Sequence, residues 1–209
     1  LPFLIAAMTL CTAASAQDAS LVPSIREELA AATDDTVRSE ALSRICYNLT
    51  RSAPDSALVA GEQALRIARR INNAKALGDA DNNLGWLAAE QGQFARADSL
   101  LGIALGIFQK LGDPAYTSVP LSNMGWLAQK KGDSVNALKY FQESLRQSEA
   151  AQDSGSSAII LYSIGSTYRR SKEYASAEDY LRRSLALERA LGRKGKEANC
   201  LTALANTFR

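Results

Sequence analysis

Histidine is absent from this 209-residue chain. That removes the commonest general base near neutral pH and the commonest zinc ligand. The cysteines are Cys11, Cys46 and Cys200, far apart in sequence and without the close pairing of a thiolate metal site. Asp34-Asp35 is a carboxylate pair, but it stands just before an apolar-periodic stretch and reads as a helix cap. Arg169-Arg170 and Arg182-Arg183 read as solvated helix faces. Asn48-Leu49-Thr50 spells a glycosylation acceptor inside a helical stretch, which makes it a coincidence of letters. No phosphate-binding G-x-x-x-x-G-K-[ST] and no G-x-S-x-G nucleophile turn occurs. The expectation is a protein without catalytic function, metal or cofactor. What remains are groups suited to recognition: tryptophan, tyrosine and asparagine, recurring in phase.

The phase is set by an internal repeat. Asn83-Leu84-Gly85-Trp86-Leu87-Ala88 returns as Asn123-Met124-Gly125-Trp126-Leu127-Ala128, 40 residues on. Ile164-Gly165-Ser166 and Leu204-Ala205-Asn206 follow at the same step. Ala97, Ala137 and Ala177 are in register, as are Leu101, Phe141 and Leu181. Each repeat carries two apolar stripes with helical spacing, separated by turns such as Gly92-Gln93, Gly132-Asp133 and Lys172-Glu173. Between repeats the turns are Asn72-Asn73, Gly112-Asp113, Gln152-Asp153 and Gly192-Arg193. The spacing predicts helices over 35–52 with 55–71, 74–91 with 93–111, 114–131 with 133–151, 154–171 with 173–191, and a last helix over 196–209. Glycine costs about 1 kcal/mol inside a helix relative to alanine. Its recurrence at 85, 125 and 165 therefore predicts close helix crossings, faced by Ala97, Ala137 and Ala177. Pro120 falls within a first helix and is expected to kink it or delay its start.

A fixed period of this size signals stacked helical pairs. The pattern Leu84, Gly85, Phe94, Ala97, Leu101, Ala104 resembles the tetratricopeptide repeat (TPR). So do Met124, Gly125, Ala137, Phe141, Ser144 and Ile164, Gly165, Tyr168, Tyr174, Ala177, Leu181, Ser184. Leu42, Ile45, Cys46 and Leu49 fit a degenerate first repeat if the turn at Ser52-Ala53-Pro54-Asp55 is one residue shorter. The resemblance implies an all-α, right-handed α-α superhelix, with the first helix of each repeat lining a concave groove that holds a protein or peptide. The groove residues so implied are Tyr47, Asn82, Asn83, Trp86, Asn123, Trp126, Tyr162 and Arg169. Asparagine would hold a partner's backbone, and the aromatic residues would anchor it. The alternative for both tryptophans is packing between adjacent repeats. A carboxylate clamp of the chaperone type is not expected, because Val119 and Asp79 stand where basic partners of Asn123 and Asn83 would be.

Residues 1–16 differ from the rest. An uncharged apolar run, Leu1 to Leu10, leads to Ala14-Ser15-Ala16 and reads as a signal peptide cut after Ala16. Leu10 before Cys11 argues against a lipidation site. Residues 17–40 read as an N-terminal helix and lead-in, with a helix over about 20–33. Residues 41–209 read as four repeats plus the first helix of a truncated fifth. With 24 basic and 22 acidic residues, the net charge of +2 points to no nucleic-acid or anionic-membrane partner. No stretch after the leader is long and apolar enough to span a membrane. Cys46 and Cys200, in the first and last repeats, are expected to be buried free thiols. The layout is similar to the exported N-terminal region of Bacteroidetes-type signalling proteins, histidine kinases or transcriptional regulators. It implies an extracytoplasmic sensor or interaction region; the alternative is a stand-alone exported or periplasmic scaffold.

Overall fold

The computed structural model describes residue 27 and residues 29–207, and all regular structure among them is helical. The proposed leader, most of the expected 20–33 helix, Phe208 and Arg209 lie outside the described residues. Nine helices have both ends described. They are α1 (Asp35–Leu49), α2 (Pro54–Arg70), α3 (Ala74–Glu90), α4 (Phe94–Leu111), α5 (Pro114–Lys130), α6 (Ser134–Ala150), α7 (Ser154–Arg170), α8 (Tyr174–Ala190) and α9 (Lys194–Ala205). The chain forms two compact units, one extending to Leu111 and one beginning at Gly112. In the first, α1 packs on α2, α2 on α3 and α3 on α4; in the second, consecutive helices from α5 to α9 pack in the same way.

The turns explain why the elements are so regular. One residue with positive φ follows each helix from α2 to α8, at Asn72, Gly92, Gly112, Gly132, Gln152, Lys172 and Gly192, every 20 residues. A left-handed residue there reverses the chain and lets the next amide reach back into the last turn. Thus Gln93 N–H donates to Ala88 at 2.8 Å, Asp133 N–H to Ala128 at 2.9 Å and Asp153 N–H to Ser148 at 2.9 Å. The residue after each left-handed position opens the next helix. Asn73 accepts from Ala76 N–H at 3.0 Å, Asp133 from Asn136 N–H at 3.0 Å and Asp153 from Ser156 N–H at 3.0 Å. Asp34 caps α1 in the same way, while Asp35 pairs with Arg38 at 2.9 Å and Arg70 at 2.6 Å.

The close crossings stand where the glycines predict them. A Cβ at Gly85 would lie 2.9 Å from the Leu101 side chain, one at Gly125 2.5 Å from Phe141, and one at Gly165 2.8 Å from Leu181. Ala97, Ala137 and Ala177 are fully buried. The first repeat reverses the arrangement. There Cys46 supplies the larger side chain from the first helix, and the glycine, Gly61, is on the second; a Cβ on Gly61 would lie 2.8 Å from Cys46 Sγ. Serine hydroxyls tie the paired helices together elsewhere along the crossing. Ser39 donates to the Ala64 carbonyl at 3.0 Å, Ser144 to Ser118 at 2.7 Å and Ser184 to Ala158 at 2.8 Å.

Three boundaries depart from expectation. The start of α5 is not delayed: Asp113 caps it, Pro114 takes the first position, and the helix runs unbroken through Pro120. Pro120 forgoes one backbone bond, but its ring fills a buried slot that Ala80 and Ile160 fill in neighbouring repeats. Helix α1 ends at Leu49 rather than 52, with the Thr50 hydroxyl donating to the Cys46 carbonyl at 2.8 Å ahead of Pro54. Helix α9 begins at Lys194, two residues earlier than expected, and closes at Ala205. No helix among the described residues is long and apolar enough to cross a membrane.

Candidate functional site

The recognition residues inferred from the repeat all lie on first helices, and packing separates them into distinct roles. In the unit ending at Leu111, Tyr47 is 55% exposed on α1. Trp86 on α3 is half-buried, with the Arg51 guanidinium carbon 5.8 Å from its ring centroid. A cation over an aromatic face is attracted by the ring quadrupole. Arg51 is steered there by Glu90, whose Oε2 lies 3.3 Å from its Nε. Asn83 donates from Nδ2 to the Ser43 carbonyl of α1 at 3.0 Å and accepts from Asn82 Nδ2 at 3.2 Å. Asn82 itself is 4% exposed, so it is not on the exposed face its register suggests; its amide orients Asn83. Near the start of α3, Lys75 bridges Asp79 at 2.9 Å and Glu40 at 3.1 Å. Burial favours its neutral amine, but the hydrogen bonds and charges of Asp79 and Glu40 outweigh this and hold the ammonium well above its ordinary range.

In the unit beginning at Gly112, Trp126 is half-buried and meets Phe141 edge-on, with centroids 5.8 Å apart. It packs against the core formed by Ala137, Phe141 and Ile164. Its register partner Trp86 faces a guanidinium instead. Asn123 is half-buried on α5. Gln129, at the register of Arg169 and expected on the exposed face, is instead buried and reaches from α5 to α7, donating to the Ser163 carbonyl at 3.4 Å and to Thr167 Oγ1. Arg169 is half-buried and its Nε is buried without a hydrogen-bond partner. Next to it, Tyr168 stacks on Tyr180 at 5.6 Å, and the Arg183 guanidinium lies 5.1 Å from the Tyr180 ring.

Tyr162 belongs to a cleft between α7, α8 and α9, lined also by Ile159, Glu188, Lys196, Asn199 and Cys200. Glu188 is 2% exposed and its Oε2 has no hydrogen bond. The Cys200 thiol lies 3.4 Å from the Ser184 hydroxyl. Burial pushes its pKa up, the Ser184 contact opposes this, and the nearby Glu188 carboxylate adds to the rise. Cys46 is likewise a buried free thiol, pushed up to about 12 by burial. Both thiols are thus held in the unreactive protonated form at neutral pH. The motif search missed Glu188, Lys196 and Asn199. The signal that could have found Glu188 is its register, because Ala68, Phe108 and Ser148 occupy the equivalent positions.

The sequence matches the tetratricopeptide-repeat family over residues 76–150 and again over residues 157–195. This chain is built of tetratricopeptide repeats. None of the curated proteins matches it. Among solved structures it is similar to a Rap protein complexed with competence and sporulation factor, with TM-score 0.77 and 15% identity over 87% of this chain and 55% of that one. It is similar to aspartyl phosphate phosphatase F of Bacillus subtilis, with TM-score 0.74 and 14% identity over 84% of this chain and 46% of that one. A signal-transduction ATPase with numerous domains and a TPR sensor, from Pyrococcus horikoshii, gives TM-score 0.69 and 16% identity over 87% of this chain. The TPR chain spans 28% of that ATPase. At these identities the likeness is one of fold. TPR modules are typically protein-interaction modules.

Proposed function

We propose that this chain is the partner-binding region of a larger exported bacterial signal-transduction protein. It takes a protein or peptide on its first-helix faces and carries out no catalysis itself. The observation that carries this reading is the α1–α3 face. Tyr47 is exposed there, Trp86 is held beneath Arg51, and Asn83 is anchored to Ser43. Rigid aromatic groups beside an oriented amide suit an extended polypeptide, whose backbone the amide can bond and whose side chains the rings can cover. The TPR sensor of the Pyrococcus horikoshii ATPase and the Rap protein complexed with competence and sporulation factor lend support, since this fold serves as a sensor in one and belongs to a factor-bound protein in the other. The export assignment rests on the apolar run and the Ala14-Ser15-Ala16 sequence.

Two measurements test the proposal. Expressed with its own leader in a bacterial host, the chain should be recovered from the periplasm, cut after Ala16. Peptides selected from a displayed random library by the purified chain should lose about tenfold in affinity when Tyr47→Ala and Trp86→Ala are combined, with helicity by circular dichroism unchanged. Unchanged affinity in that variant would remove the α1–α3 face as the binding surface, and cytoplasmic retention would remove the exported role.

A further inference from the structure

The cleft between α7, α8 and α9 contains a charge that the repeat architecture does not require. At the same register the other repeats place Ala68, Phe108 and Ser148, all buried. Each is satisfied in its own way. The Phe108 ring fills its slot against Gly78, where an added Cβ would lie 2.6 Å from the ring. Ser148 donates to the Leu145 carbonyl at 3.0 Å and shares a hydrogen bond with Ser157 at 2.9 Å. Glu188 is as deeply buried as these, yet its Oε2 has no hydrogen bond. Arg193 Nη1 makes a long ion pair with Oε2 at 4.0 Å from a partly exposed side chain, too far to hydrogen-bond it, and donates to the Gly155 carbonyl at 3.5 Å instead. Lys196 lines the same cleft but is exposed and does not pair with Glu188. A carboxylate taken out of water with an unused oxygen is costly unless something compensates it.

The rest of the lining indicates what would compensate it. Ile159 and Tyr162 on α7 form an apolar and aromatic wall, and the exposed Asn199 offers an amide on the α9 side. A long aliphatic stem tipped by a cation matches that sequence of surfaces. Its methylenes lie along Ile159 and the Tyr162 ring, and its N–H groups meet the buried oxygen. An anionic ligand would meet the Glu188 charge instead. We propose that this cleft is a subsite for a lysine or arginine side chain of a bound polypeptide, with Glu188 as its counter-ion. The inference rests on the reading that the chain binds a polypeptide, and it adds a basic residue to what that partner must contain.

Panning a displayed random peptide library against the purified chain tests it. The selected peptides should share one lysine or arginine position. A synthetic peptide of the selected sequence should bind Glu188→Gln at least tenfold more weakly than the wild type, because the amide keeps the shape and loses the charge. Lys196→Ala, which removes a like charge from the rim, should strengthen binding severalfold; a merely structural role for Glu188 would not produce that opposite shift. Circular dichroism on both variants keeps folding separate from binding. Selected peptides without a shared basic position, or binding by Glu188→Gln within twofold of the wild type, would overturn the subsite and leave peptide binding intact. Failure to select any peptide would overturn both.

Discussion

Asp81 stands at a position where the other repeats use leucine. Counting back 39 residues for the shorter first turn, and forward by 40, its equivalents are Leu42, Leu121 and Leu161, all buried. Asp81 is 5% exposed and makes no hydrogen bond or ion pair among the described residues. Burial raises its pKa above 3.8, and the attraction of Arg69 only partly opposes this. Replacement by leucine buries an apolar side chain worth about 2 kcal/mol. It also removes the cost of an uncompensated carboxylate, about 1 kcal/mol or more. The lost attraction to the exposed Arg69 subtracts less than about 1 kcal/mol. The net expectation for Asp81→Leu is a gain of about 2 kcal/mol, or a Tm about 4–8 °C higher for a chain of this size. The pH dependence identifies the cause. A carboxyl whose folded pKa lies above its unfolded value favours the fold at low pH, and that contribution is lost as pH rises through the folded pKa. The advantage of Asp81→Leu should therefore be larger at pH 7 than at pH 3. Asp81→Asn, which keeps the shape, should recover only the charge-dependent part. Thermal and urea denaturation at both pH values provide the comparison. A leucine variant no more stable than the wild type at pH 7, or equally advantaged at both pH values, would refute the reasoning.

Two further predictions concern the crossings and caps. Gly125→Ala should destabilise the chain by about 1–2 kcal/mol despite alanine's better helix propensity, because the new Cβ would meet Phe141 at 2.5 Å. Adding Phe141→Leu, the residue type that Leu101 and Leu181 provide in neighbouring repeats, should restore part of the loss, as measured by a double-mutant cycle in urea. Asp153→Ala should cost about 1 kcal/mol at pH 7 by removing the cap on α7. Hydrogen bonds from the Ser156 hydroxyl and amide hold the Asp153 pKa below 3.8, so its contribution is present above that value and lost as pH falls through the folded pKa. The gap between wild type and variant should therefore close in acid, and a gap unchanged at pH 2 would exclude the cap as its source.

Much of the fold can be read from the sequence because the forces that set it are local and repeat. A left-handed turn residue every 20 positions stops one helix, and the following Asn or Asp caps the next where it occurs. A glycine recurring against its helix propensity marks a close crossing, as at Gly85, Gly125 and Gly165. Even the shorter first turn follows from where Leu42, Cys46 and Leu49 fit the register. The sequence alone therefore determines the succession of helices among the described residues, their ends to within a few residues, and which faces are apolar.

Register does not say what a side chain meets across the helix pair, and that is where the tertiary structure decides. Trp86 and Trp126 are 40 residues apart and equivalent by pattern, yet one lies beneath Arg51 and the other edge-on to Phe141. Asn82 follows the pattern of an exposed position but lies buried against Asn83. Cys46 and Gly61 exchange the large and small roles because packing requires only that one side of a crossing be small. Glu188 stands out for the same reason, since a carboxylate's cost depends on the partners that surround it rather than on its place in the repeat. Periodicity is a property of one helix and can be counted along the chain; complementarity belongs to pairs of helices and exists only once they pack.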